Sequence, residues 1–162
     1  MGNTMTYKLP HLPHGNLIDL TTQKITGATN AAYTVTFDTP NDMEGISLVD
    51  NSKITVGSPG DYEFIVSAVV DCTAGTALHC DLWFAKGGTN VANSNTRVEL
   101  PNATTELIVS ISFIIDLLVG EYIQLKWCAD DNRVRLLSTA AAASPTRPAC
   151  PSVVVAVKKI SE

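Results

Sequence analysis

Gly60-Asp61-Tyr62-Glu63-Phe64-Ile65-Val66-Ser67-Ala68-Val69-Val70 reads as a half-buried strand. Tyr62, Phe64, Val66, Ala68 and Val70 share one face, while Asp61, Glu63 and Ser67 share the other. Side chains alternate along a strand, so a period of two sends one face into a core and the other toward water. Downstream, Thr105 to Ile115 repeats the pattern with Leu107, Val109, Ile111, Phe113 and Ile115 in phase. Ile108 and Ile114 make its second face partly apolar as well. Gly120 then opens a stretch in which Ile123, Leu125 and Trp127 alternate with Tyr122, Gln124 and Lys126.

Working outward, further short strands recur between turn signals. Ala31 to Phe37 alternates before Pro40-Asn41-Asp42, which has the composition of a turn. Ile46 with Leu48 and Ile54 with Val56 mark two more strands, closed by Ser58-Pro59-Gly60. Leu78 to Ala85, Asn95 to Leu100, the start at Val134 and Leu136, and Pro151 to Ile160 complete about ten. Pro145 and Pro148 interrupt the one alanine-rich run, so no helix is expected there. Thr, Val and Ile number 18, 15 and 11 among 162 residues, and β-branched residues favour strands. Many short antiparallel strands at this spacing imply a two-sheet sandwich or jelly roll. Residues 1–24 hold Pro10, Pro13, His11, His14 and Gly15 without periodicity, and read as an extended N-terminal arm. Residues 25–162 are expected to form one domain.

Composition narrows the function. The formal charge is −5, which argues against a nucleic-acid-binding protein. The most apolar stretch, Leu107 to Tyr122, is broken by Ser110, Ser112, Asp116 and Gly120 and is too short to span a bilayer. No basic stretch followed by an apolar one opens the chain, so accumulation in a cytoplasm is expected. Charged residues are 17% of the chain, and this lean surface hints at cover by partner subunits.

No motif carries a reaction. His11 and His14 offer half a metal site at most and read as solvated arm residues. His79 and Cys80 are neighbours on a strand, so their side chains point to opposite faces. Asp130-Asp131-Asn132 suits a turn, with hard-cation ligation as the alternative. Cys72, Cys80, Cys128 and Cys150 contain no C-x-x-C, which argues against zinc and leaves open buried thiols or a bridge. Neither a Gly-x-Ser-x-Gly elbow nor a phosphate-binding loop is present. The chain is therefore expected to be no enzyme and to take no cofactor and no metal. Trp127 reads as core, whereas Trp83 is left for a subunit axis or a contact site.

Several stretches occur in a telling order: Gly60-Asp61-Tyr62-Glu63-Phe64, Trp83-Phe84-Ala85-Lys86-Gly87-Gly88, Ser94-Asn95-Thr96-Arg97, Gly120-Glu121-Tyr122 and Pro148-Ala149-Cys150-Pro151-Ser152-Val153-Val154. Together, over roughly residues 25–160, they resemble the C1q/TNF-like jelly roll in the version common among tailed-phage virion proteins. The resemblance implies an all-β, two-sheet antiparallel jelly roll of about ten strands that assembles as a homotrimer. It implies one sheet facing the threefold axis, made of the first, third-from-last and last strands with the Trp83 strand between them. Trp83, Tyr122, Gln124, Lys126, Val154 and Ala156 would then form the trimer interface. Val153 to Val157 is apolar on both faces, and such a strand must be covered on both. The same topology implies Cys72, Cys80 and Cys128 near one end of the sandwich and Cys150 at the other.

The implied function is structural: a homotrimeric capsid decoration or cement protein on the virion surface. Its partners would be itself and the major capsid protein or another virion protein, with no nucleic acid and no membrane. The arm would dock through Leu9, Leu12, Leu17 and Ile18, since 20 extended residues reach at most about 70 Å. The alternative is the receptor- or glycan-binding head of a short tail fibre or spike.

Overall fold

The structure is a computed structural model, and it describes residues 11–161. Every described strand pairing is antiparallel, and no helix occurs among the described residues. Strands are numbered in chain order. The first sheet holds β1 (His14–Asp19), β2 (Gln23–Lys24), β4 (Thr39–Glu44) and β7 (Gly60–Cys72). It also holds β11 (Glu106–Leu117), β13 (Val134–Leu136) and β16 (Val153–Ser161). The second sheet holds β3 (Tyr33–Thr34), β5 (Ile46–Val49), β6 (Lys53–Val56) and β8 (Leu78–Lys86). With them run β9 (Thr89–Asn90), β10 (Thr96–Leu100) and β12 (Tyr122–Ala129). A separate two-stranded ribbon joins β14 (Ala142–Ala143) to β15 (Thr146–Arg147).

The order across the first sheet is β4-β1-β16-β7-β11, with β13 and β2 continuing the β16 side beyond Ala68. The second runs β10-β8-β12-β6-β5. The core lies where their inner faces meet. Tyr62, Phe64, Val66, Ala68 and Val70 are all fully buried, as the period of two requires. From the facing sheet come Leu82, Phe84, Ile123, Leu125 and Trp127. Phe84 bridges the layers, with ring centroids 5.7 Å from Phe64 and 6.0 Å from Phe113 in tilted geometry.

The N-terminal boundary differs from the sequence expectation. Residues 14–19 do not belong to an arm; they form β1, held between β16 and β4. Leu17 is 0% exposed and packs in the chain's own core. Ile18 is half-buried in the same strand, paired with Val154 and Thr39. Only β1's Gly15, Leu17 and Asp19 point inward, so a single large apolar residue marks its buried face. Pro40-Asn41-Asp42 likewise is not a turn but lies within β4. That strand is an outer one, where proline removes no needed ladder bond.

The sheet assignment implied by the family resemblance also changes. The first and last strands share a sheet, but the Trp83 strand and the strand opened by Gly120 belong to the opposite one. Cys150 does not sit opposite Cys72: it bridges to Thr139 just before β16, whose Val153 pairs with Ala68 near the Cys72 end of β7. All four cysteines are free thiols.

Candidate functional site

Two surfaces stand out, one on each sheet. The six residues expected to line one trimer interface are divided between them. Trp83, Tyr122, Gln124 and Lys126 lie on the outer face of the second sheet, where Lys126 pairs with Trp83 and Gln124 with Ala85. Val154 and Ala156 lie on the outer face of the first. The sandwich thus places these two groups on opposite outer faces of the subunit.

On the first sheet, the outward residues form rows across the strands. One row runs Ile18, Val154, Ser67, Ser110, and the next Asn16, Ala156, Ile65, Ser112. Ile108 and Ile114 flank these rows on β11 and are 73% and 56% exposed, with Ile65 at 41%. Small neutral side chains fill the rest of these rows. Charge enters at both borders: an Arg135 terminal nitrogen lies 2.7 Å from Asp71 Oδ2 beyond Ile108, and Lys158 Nζ lies 2.9 Å from Glu63 Oε2 beside Ile114. That pairing holds the Glu63 carboxyl below its ordinary pKa. The result is an outer face that is uncharged between its borders and mixes isoleucine, valine and alanine with serine and asparagine.

On the second sheet, residues 87–95 turn back alongside β8 and border an open, shallow depression of about 380 Å³. Trp83 and Asp81 form its floor, because residues two apart on a strand share a face. Cys128 and Arg97 flank Asp81 from β12 and β10. Asn90, Asn93 and Asn95 line the loop side. The loop is pinned from within: buried Ser94 accepts from the Phe84 amide at 3.0 Å and donates to the Val91 carbonyl at 2.8 Å. Trp83 Nε1 donates to Asn90 Oδ1 at 2.8 Å, which sets the plane of the indole.

Asp81 is itself buried, and its charge is matched at once. Arg97 Nε donates to both carboxylate oxygens at 3.1 Å, and an Arg97 terminal nitrogen lies 3.0 Å from Oδ2. Asn95 Nδ2 adds a bond of 2.8 Å. The carboxylate raises the Arg97 pKa further and, with burial as the larger cause, pushes the Cys128 thiol up. A thiol held protonated is a poor nucleophile. Cys80, behind it in the core, is pushed up more strongly, chiefly by burial.

The remaining candidates are occupied by internal contacts. His79 Nδ1–H donates to Asp130 Oδ2 at 2.9 Å, and Asp130 Oδ1 accepts from the His79 amide at 2.9 Å. Asp131 accepts from the Arg133 amide and side chain. The run 130–132 is thus a turn whose carboxylates are already partnered. Among the described residues, no group of three or more His, Cys, Asp or Glu is gathered around a point. Leu12 is exposed beside the start of β1, and Leu9 lies outside the described residues. Trp127 is core, at 1% exposed.

The pocket residues other than Trp83 were not singled out from sequence as a site. A signal was present in the three asparagines at 90, 93 and 95, closely spaced after a tryptophan-bearing strand. Only the fold-back of the loop shows that they face Trp83.

No family model and no curated protein matches this chain. Among solved structures, it is similar to the globular domain of zebrafish complement 1qA protein. The two superpose with a TM-score of 0.54 at 15% identity, over 94% of this chain and 99% of that one. At that identity the likeness speaks for the fold alone. The chain is a two-sheet antiparallel β-sandwich with the C1q/TNF-like jelly-roll fold.

Proposed function

We propose that this chain is a non-enzymatic virion structural protein that works as a homotrimer, with the outer face of the first sheet as its subunit contact. The carrying observation is the pair of adjacent rows that hold Ile18, Val154, Ala156 and Ile65 among small polar side chains, flanked by Ile108 and Ile114, with Ile65, Ile108 and Ile114 exposed in the single subunit. Contiguous apolar surface of this kind mostly marks a contact site. Its near absence of charge suits a second and third copy of the same face. The ion pairs at its two borders, Lys158 with Glu63 and Arg135 with Asp71, are satisfied within the subunit and ask for no foreign partner.

In this reading the trimer sits on the capsid surface as a decoration protein, assembled in the host cytoplasm. Docking to the major capsid protein or another virion protein then falls to residues 1–12, with Leu9 and Leu12 as anchors, because Leu17 and Ile18 belong to the sandwich. Sedimentation equilibrium is expected to return three times the protomer mass. Ile65→Asp, at the centre of the face, is expected to give a folded monomer with an unchanged strand signal in circular dichroism. A wild-type monomer, or an undisturbed trimer in the variant, overturns the proposal. Removing residues 1–12 is expected to leave the trimer intact while abolishing co-sedimentation with capsid shells.

A further inference from the structure

From the open depression that the loop borders on the second sheet we infer a binding site for a neutral hexopyranoside, its ring stacked on Trp83 and its hydroxyls held by Asn90 and Asn95. The depression lies on the side of the sandwich opposite the proposed trimer face, so the two readings stand or fall separately.

Three features of the site point to this ligand class. The first is hydrogen-bond polarity. An indole N–H only donates, so Asn90 must turn its oxygen to Trp83 and present its amide nitrogen to the depression. A carboxylate only accepts, so Asn95 must turn its nitrogen to Asp81 and keep its oxygen free. One side of the site therefore offers a donor and the other an acceptor. A sugar hydroxyl, which donates and accepts at once, satisfies both.

The second feature is charge. Asp81 and Arg97 neutralise each other on the floor through the paired bonds from Arg97. The Asp81 carboxylate already offsets the guanidinium charge and so weakens its pull on an anionic ligand, and a cation would compete with Arg97 for the carboxylate. A neutral polyol meets neither penalty. The chain's net charge of −5 further disfavours a polyanion.

The third feature is preorganisation. Ser94 ties the loop to β8 and the Asn90 bond fixes the indole plane, so little ordering remains for binding to supply. The volume of about 380 Å³ lies at the small end of the range for small-molecule sites. Half-buried Trp83 supplies the broad apolar floor, and the few polar groups around it set orientation.

The chain has two tryptophans, Trp83 and Trp127, so its spectrum carries two indole N–H resonances, one of them a built-in control. The full chain is titrated with the methyl glycosides of glucose, galactose and mannose, with N-acetylglucosamine, and with N-acetylneuraminic acid as a charged probe. At least one neutral sugar is expected to shift the Trp83 resonance saturably, with half-saturation on the order of 1 mM, while Trp127 stays still. Trp83→Ala and Asn95→Ala are expected to weaken binding by about tenfold or more. The exposed Asn90→Ala, which disturbs no buried group, guards against a misfolded pocket variant and is expected to weaken binding as well. The inference is overturned if no neutral sugar shifts Trp83 up to about 100 mM. It is overturned equally if the acidic sugar binds more tightly than every neutral one, or if Asn90→Ala and Asn95→Ala bind as well as the wild type.

Discussion

Asp131 takes its partners from a residue only two positions away: the Arg133 amide and guanidinium all donate to its carboxylate. Those bonds hold its pKa down at about 2, below the ordinary value of 3.8. A depressed carboxyl stabilises the folded state above its unfolded pKa, and that contribution fades as pH falls through the folded value. The stability difference between wild type and Asp131→Asn is therefore expected to be full above pH about 5 and to shrink between about 4 and 2. Thermal melts across that window check it. Leu17 carries a second prediction. As a docking residue it would tolerate alanine without loss of fold, but as a core residue Leu17→Ala is expected to cost about 2–5 kcal/mol in urea titration. Gly60 was legible as a strand opener, yet its stricter role was not. It holds a positive φ of 141°, and an added Cβ would collide with the Ser161 carbonyl oxygen. That contact joins two residues 101 positions apart, so local sequence cannot show it.

Strands with a clear period of two, β7, β11 and β12, were readable because their inward positions are nearly all large and apolar, and β16 was readable as a run of valines apolar on both faces. β1 and β4 were not. β1 places Gly15, Leu17 and Asp19 inward, and β4 is mostly polar and exposed, so neither shows a hydrophobic rhythm. Both exist because β16 and β1 present unpaired backbone groups that a neighbouring strand satisfies. The loop alongside β8 behaves as an element of its own, with Ser94 as its internal tie. Ser94→Ala leaves the Phe84 amide and the Val91 carbonyl without this partner. The expected cost is about 1–3 kcal/mol, with faster amide exchange confined to residues 87–95 and the adjoining edge of β8.

At the scale of the molecule, β1 closes on β16, so the two ends of the chain meet in one sheet. Removing residues 1–12 is expected to shift the melting midpoint little, whereas removing 1–19 takes out Leu17 and bares the β16 edge. The longer truncation is expected to be insoluble or unfolded on expression, and comparing the two by circular dichroism tests where the domain begins. The β-rich class, the core faces of the long strands and the C1q/TNF-like resemblance were all readable in the chain, since alternation is a local property that each strand carries by itself. Which outer face goes with which sheet was not readable, because Trp83 and Val154 are assigned by strand order, and strand order depends on pairings between distant segments. For the same reason only the folded sandwich separates the isoleucine-bearing outer face from the polar, tryptophan-floored depression on its opposite side.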